Sequence, residues 1–398
     1  MTKPEPVHVV GAGLAGLAAA CTLAEAGRAV VLHEAAKAAG GRARSYFDAR
    51  LGATIDNGNH LLLSGNRAAM AYLRRIGTRG SLTGPGGPVF PFVDLQSGAR
   101  WVLRLNRGRV PWWIFASSMR VPRTRLRDYL LLLKLNGARR SDLVAEFAGR
   151  AGPLYRNLLE PLAVAALNTP PERASALPLK AVLSETIARG GGAAIPCFPA
   201  GGLSESFVDP ALAWLRSRGA EIRLNDRVTA IDPARRTIIA APPWIAAELL
   251  PGLIVPEEYE AIFNLHFKYR ADPGEAGFWG LIGGLAEWVF AKGEIFSVTI
   301  SAANRYAEAE NAEMAARVWA ELAAAFGLAA AMPDYRVVRE KRATFAATPA
   351  QLERRPGTRT PNPNVMLAGD WTDTGLPATI EGAIRSGNAA ALAMLGRK

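Results

Sequence analysis

The stretch from Val7 to Arg44 constrains this chain more than any other. A short β-branched run, Val7 to Val10, turns directly into Gly11-Ala12-Gly13-Leu14-Ala15-Gly16 and then into an alanine- and leucine-rich segment with helical spacing. Gly27 suits the left-handed cap that ends such a helix, and a second strand over Ala29 to Leu32 delivers Glu34 eighteen residues after Gly16. Strand, glycine turn, helix, strand and acid, in that order, describe a dinucleotide-binding unit. Gly11 permits the tight turn, Gly13 lets the backbone approach a pyrophosphate, and Gly16 lets the helix pack on the strand. The backbone of Ala12, Leu14 and Ala15 then offers N–H groups to the phosphates at the positive end of the helix dipole. Glu34, followed by Ala35, is placed to accept hydrogen bonds from both hydroxyls of the adenosine ribose.

Gly40-Gly41-Arg42-Ala43-Arg44 follows. A second flexible turn with an arginine can wrap the far side of a bound pyrophosphate, a clamp that nicotinamide enzymes do not need. On this segment the sequence resembles the FAD-dependent amine oxidase and phytoene desaturase superfamily. The resemblance implies tightly held, non-covalent FAD and an α/β fold: a Rossmann-like FAD-binding domain of the amine-oxidase type with an inserted α+β substrate domain. It extends to the Pro199-Ala200-Gly201-Gly202-Leu203 turn, to Gly219-Ala220-Glu221-Ile222-Arg223-Leu224, to Val228 to Ile231, and to the C-terminal run Gly369-Asp370 through Ala378-Thr379-Ile380-Glu381-Gly382. By that resemblance Val228, at the end of a strand, touches the adenine through its backbone, Gly58, Asn59 and His60 lie near the isoalloxazine, and Asp370 reaches the ribityl chain. The helix starting near Thr379 and Ile380 aims its N-terminus at the flavin pyrimidine. One departure stands out: Asp232 to Arg236 runs almost directly into Thr237, where relatives have a longer hairpin. The expected division is residues 1–80, 195–248 and 350–398 for the FAD-binding domain, with 81–194 and 249–349 for the substrate domain.

At 398 residues the chain has room for about two domains. Its two cysteines, Cys21 and Cys197, suggest neither a disulfide framework nor a metal site, and point to a reducing cytoplasm. The first core strand starts too early to leave space for a signal peptide, and no apolar stretch reaches the roughly 20 residues of a spanning helix. The formal charge of +12 is concentrated: between Arg100 and Arg140, eleven bases face one acid, Asp128, among Trp101, Trp112, Trp113, Phe115, Met119 and Leu130 to Leu133. Basic heads interleaved with aromatic bodies are the composition of a segment lying on an anionic membrane surface. A solvated charged face over an aromatic core has the same composition. Nucleic acid is not the expected partner, because binding it would leave the FAD unit without a purpose. The expected location is the inner face of the cell membrane, held peripherally.

Phe278 to Ser301 suits strands flooring a large apolar pocket, with only Glu287, Lys292 and Glu294 charged, although an ordinary core has the same composition and is what this segment alone favours, and Ala312 to Phe326 reads as an amphipathic helix. The wording Asp56-Asn57-Gly58-Asn59-His60-Leu61-Leu62-Leu63-Ser64-Gly65-Asn66 and the run from Ala368 to Gly387 resemble the bacterial hydroxysqualene dehydroxylases. That resemblance implies an apolar isoprenoid substrate, reductive loss of its allylic hydroxyl, and His60 or Asp56 as the group that protonates the departing oxygen. A carotenoid-type desaturase, an amine oxidase and a flavin-containing membrane or nucleic-acid adaptor are the alternative readings. The single dinucleotide fingerprint is assigned to FAD, so the electron donor is external.

Overall fold

A computed structural model describes residues 5–147, 152–272 and 274–397. The valine run Val7–Val10 lies in the middle of a five-stranded, all-parallel sheet whose order is Glu221–Leu224, Val30–Glu34, Val7–Val10, Thr237–Ile239 and Val365–Leu367. A central strand in a parallel sheet is covered on both faces, which is why Val7, Val9 and Val10 are all apolar and buried. The second strand runs two residues further than the expected Leu32, because pairing with Arg223 and Leu224 carries His33 and Glu34 into the sheet. Helices Leu14–Glu25 and Ile380–Met394 pack together on one side. They approach so closely that a Cβ at Gly387 would fall 2.0 Å from the Ala15 carbonyl oxygen.

Val228 to Ile231 is not a strand. The chain leaves Leu224, crosses to Thr237 without a hairpin, and only Thr237–Ile239 enters the sheet. No strand pairs with this segment, and its alternate residues Arg227 and Thr229 are exposed. Val228 and Ile231 instead pack as side chains against the cluster around Val10 and Ile239.

The second large sheet has seven strands, ordered Tyr335–Phe345, Tyr259–Lys268, Ile295–Ile300, Trp288–Lys292, Phe278–Ile282, Val89–Asp94 and Arg100–Arg104. Its neighbours are antiparallel except Phe278–Ile282 beside Val89–Asp94. Strict alternation splits its middle strands. Phe263, Leu265 and Phe267, with Phe296, Val298 and Ile300, face the helix Asn311–Phe326 and bury Trp319 with it. At about 1.5–3 kcal/mol for each large apolar side chain taken from water, this layer anchors the sheet. The opposite face carries Asn264 and His266 directly across from Thr299 and Ser297. The segment from Asp142 to Leu167 is helical over Val144–Phe147, Tyr155–Leu159 and Glu160–Leu167, with 148–151 outside the described residues.

Candidate active site

Two glycine turns meet at the end of the central strand. The Gly40 N–H donates to the Ala12 carbonyl at 2.8 Å, and Gly13 and Gly40 form a bridge. A Cβ at Gly16 would lie 1.8 Å from the Gly11 carbonyl oxygen, so the helix sits where only hydrogen fits. A Cβ at Gly13, by contrast, would meet nothing within 4 Å, which leaves open space in front of the turn. Leu14 and Ala15 begin the helix as buried residues, and Ala35 sits exposed past the end of the second strand. Glu34 Oε2 accepts the Ala12 N–H and Oε1 accepts the Ala36 N–H, both at 2.8 Å. Each oxygen keeps a further lone pair for a sugar hydroxyl.

Arg42, next to Gly41, reaches Asp370 Oδ1 at 2.8 Å and the Ala343 carbonyl. Asp370 follows the strand Val365–Leu367, with the Gly369 N–H donating to Ser386 Oγ at 3.0 Å. Thr379 caps the last helix by accepting the Gly382 N–H, and that helix begins at Ile380. Arg355, which no motif singles out, is buried over the Phe345 ring and donates to the carbonyls of Asp370, Trp371 and Thr372. Burial pushes its guanidinium down to about 10. It stiffens the loop that carries Asp370. An open glycine-lined groove, an anchored carboxylate with free lone pairs, an arginine–aspartate pair adjoining Gly41 and a capped helix N-terminus together fit an adenine dinucleotide bearing a redox ring.

The loop from Asp56 to His60 lies against the polar face of the seven-stranded sheet. Gly58 is pressed on Asn264, where a Cβ would come within 3.2 Å of the amide nitrogen. Asn59 donates from its side chain to Ser297 Oγ at 2.7 Å and to Thr299 Oγ1 at 3.1 Å. The two expected proton donors sit in different electrostatic surroundings. Burial alone would raise the Asp56 carboxyl, but Lys292 Nζ at 2.7 Å, the Leu203 N–H at 2.8 Å and the Ser45 hydroxyl at 2.6 Å outweigh it and hold the group below its ordinary value, as a carboxylate. His60 is pushed down to about 4, chiefly by burial, with Lys292 and Arg42 adding to the effect against Asp56. It is a neutral imidazole near pH 7. Lys292 was visible beforehand only as an isolated base in an apolar stretch.

Beside this polar patch the same sheet face turns aromatic. Trp288, Phe290 and Phe278 pack ring on ring with Phe198 and Phe92, with centroids 5.5–6.3 Å apart. These rings are buried against one another as the packing of an ordinary core. Trp113, Val121 and Tyr129 of the basic arm belong to the same buried cluster. The arm's other side is bare: Val110, Trp112, Phe115, Leu126, Leu130 and Leu133 are 45–65% exposed, among the exposed Arg107, Arg109, Arg123, Arg125, Arg127 and Lys134. Among the described residues no helix is long and apolar enough to cross a membrane.

The cradle, the paired Arg42 and Asp370 and the C-terminal helix define a flavin-dependent oxidoreductase. The chain belongs to the flavin containing amine oxidoreductase family, whose pattern it matches over residues 14–395. Its cofactor is FAD. It is 48% identical to the hydroxysqualene dehydroxylase of Rhodopseudomonas palustris over 97% of both chains, and 44% identical to that of Sinorhizobium fredii over 98% of both. Among solved structures, cyclohexylamine oxidase from Brevibacterium oxydans superposes with a TM-score of 0.72 at 18% identity, covering 98% of this chain and 99% of that one. That likeness is one of fold.

Proposed function

We propose that the protein reductively removes the hydroxyl of hydroxysqualene to give squalene. The observation that carries this reading is the full-length relationship to hydroxysqualene dehydroxylases, at 48% and 44% identity, which spans the cradle, the Asp56 to His60 loop and the aromatic wall alike. When bound, FAD in its reduced form supplies the hydride. The chain's own residues supply the setting. Loss of an allylic hydroxyl leaves positive charge spread over carbon, an intermediate that a water-excluding, aromatic-rich surrounding favours over one open to solvent. The N-terminus of the helix Ile380–Met394 favours negative charge where the redox ring would sit.

A thirty-carbon hydrocarbon partitions into bilayers, and the exposed apolar and basic side of the arm supports docking on an anionic membrane surface. Its inner side packs on the aromatic wall, so one short segment would join lipid to site. The direct test of the reaction is to mix purified FAD-loaded protein, a flavin-reducing system and hydroxysqualene. Squalene is the expected product; bound, reduced flavin with no squalene formed rules the reaction out.

A further inference from the structure

Dehydroxylation needs a proton for the departing oxygen, and a chain of hydrogen bonds behind Asn59 shows where one can come from. Asn264 sets its direction. The Asn264 amide Nδ2 donates to the Asn57 carbonyl and Oδ1 accepts the Asn59 backbone N–H, each at 3.3 Å, and backbone roles cannot be exchanged. With Oδ1 accepting, the Thr299 hydroxyl donates to it at 2.9 Å, so Thr299 Oγ1 accepts from Asn59 Nδ2. The same Asn59 amide donates to Ser297 Oγ, whose own proton then goes to His266 Nδ1 at 2.8 Å. This arrangement favours the Nε2–H tautomer of His266, because it gives the Ser297 hydroxyl proton an acceptor.

The chain ends in two buried atoms without a hydrogen-bond partner, His266 Nε2 and Asn59 Oδ1, the histidine being only 1% exposed. Both residues line one cavity of about 90 Å³, and Lys292 and Asp56 form part of its wall. Each unpaired polar atom would cost about 1–3 kcal/mol, whereas a polar cavity of this size holds ordered water. Lys292 carries the ammonium that borders this space, and its side chain is 13% exposed while that of Asp56 is 3% exposed.

We infer that this cavity is a hydrated proton-delivery chamber, in which water accepts from His266 Nε2–H, donates to Asn59 Oδ1, and passes a proton from the Lys292 ammonium to the departing hydroxyl. The inference rests on the dehydroxylation reading. One proton leaves Lys292 and reaches the hydroxyl oxygen. The C–O bond breaks with its electron pair on oxygen, and water departs. Bound reduced FAD would supply the hydride for the allylic carbon, and the Lys292 amine regains a proton from solvent. Asp56 stays a carboxylate throughout, held by Ser45 and Leu203. His266 is a positioning residue in this scheme, acting through Ser297 and the chamber water.

Two measurements test it. Nitrogen NMR on histidine-labelled, FAD-loaded protein should show His266 neutral and protonated on Nε2 from pH 6 to 9; protonation on Nδ1 overturns the assigned direction. The variant Lys292→Met/Asp56→Asn removes both charges together, so no lone charge is buried. It should keep the flavin spectrum and reduce normally, yet lose about 100-fold or more of its rate on hydroxysqualene. A carboxylate ester of the same alcohol, whose leaving group departs without a proton, should be far less affected. Equal losses on alcohol and ester, or no loss on the alcohol, overturn the proton-delivery role. Wild-type protein that makes no squalene would instead remove the reaction itself, and the NMR result would still decide the direction of the chain.

Discussion

The glycine cradle and the polar patch behind Asn59 border the same site but are built on opposite plans. In the cradle, contacts join residues close in sequence: Glu34 holds Ala12 across 22 positions, and the second turn docks on the first within 30. In the patch, Asn59 reaches Ser297 across 238 positions and Lys292 reaches Asp56 across 236. The cradle works through backbone and through the absence of side chains. The patch works through side chains that must all be present and correctly oriented. Enlargement should therefore damage the first most, and removal of a partner the second.

The largest effect expected is at Gly16. In Gly16→Val the new Cβ would fall 1.8 Å from the Gly11 carbonyl oxygen, and no flexible neighbour can give way. The variant should purify colourless, without FAD; a yellow, stable product would break the contrast. Next comes Lys292→Met alone, which strands Asp56 as a buried unpaired charge and should cost roughly 3–5 kcal/mol in urea unfolding, most of it recovered when Asp56→Asn is added. If single and double variants are equally unstable, the patch is not organised around that pair.

A smaller effect follows from His266, whose imidazole is pushed down to about 4 by burial first and by Lys292 second. An unfolded histidine titrates near 6.5, so between these values the unfolded chain binds the extra proton. The stability this residue contributes is complete above pH 6.5 and drains as pH falls toward 4, by roughly 3 kcal/mol. Unfolding midpoints at pH 7 and pH 4 should diverge less in His266→Gln than in the native chain. The smallest change in stability belongs to the arm. Trp112→Ser with Leu133→Ser alters only exposed surface and should shift unfolding by about 0.5 kcal/mol or less. Retention on anionic vesicles should nevertheless drop sharply; unaltered retention would mean that this face does not dock there.

The contrast also explains what could be read in advance. The first strand, turn and helix followed from residue spacing because each is stabilised by its own neighbours, and the same holds for the helix Asn311–Phe326, one residue longer than expected. The strand anticipated at Val228 failed because a V-x-x-I pattern says nothing about whether a pairing partner exists. For His60 and Asp56 the residue identities were visible, while the burial and partners that bear on their protonation were not. Asn264 and His266 left a faint trace, as polar residues at alternate positions in an apolar strand, and Lys292 left another as the odd base in an aromatic stretch.

By itself the amino-acid order determined that this chain binds an adenine dinucleotide along its opening βαβ unit, because a glycine turn imposes its geometry within a few residues. Only the folded chain decided which groups are charged beside the redox site and which way its hydrogen bonds run. Those properties depend on burial and on partners more than 200 residues away, and a carboxylate, an imidazole or an amide has no fixed protonation or orientation until its neighbours are in place.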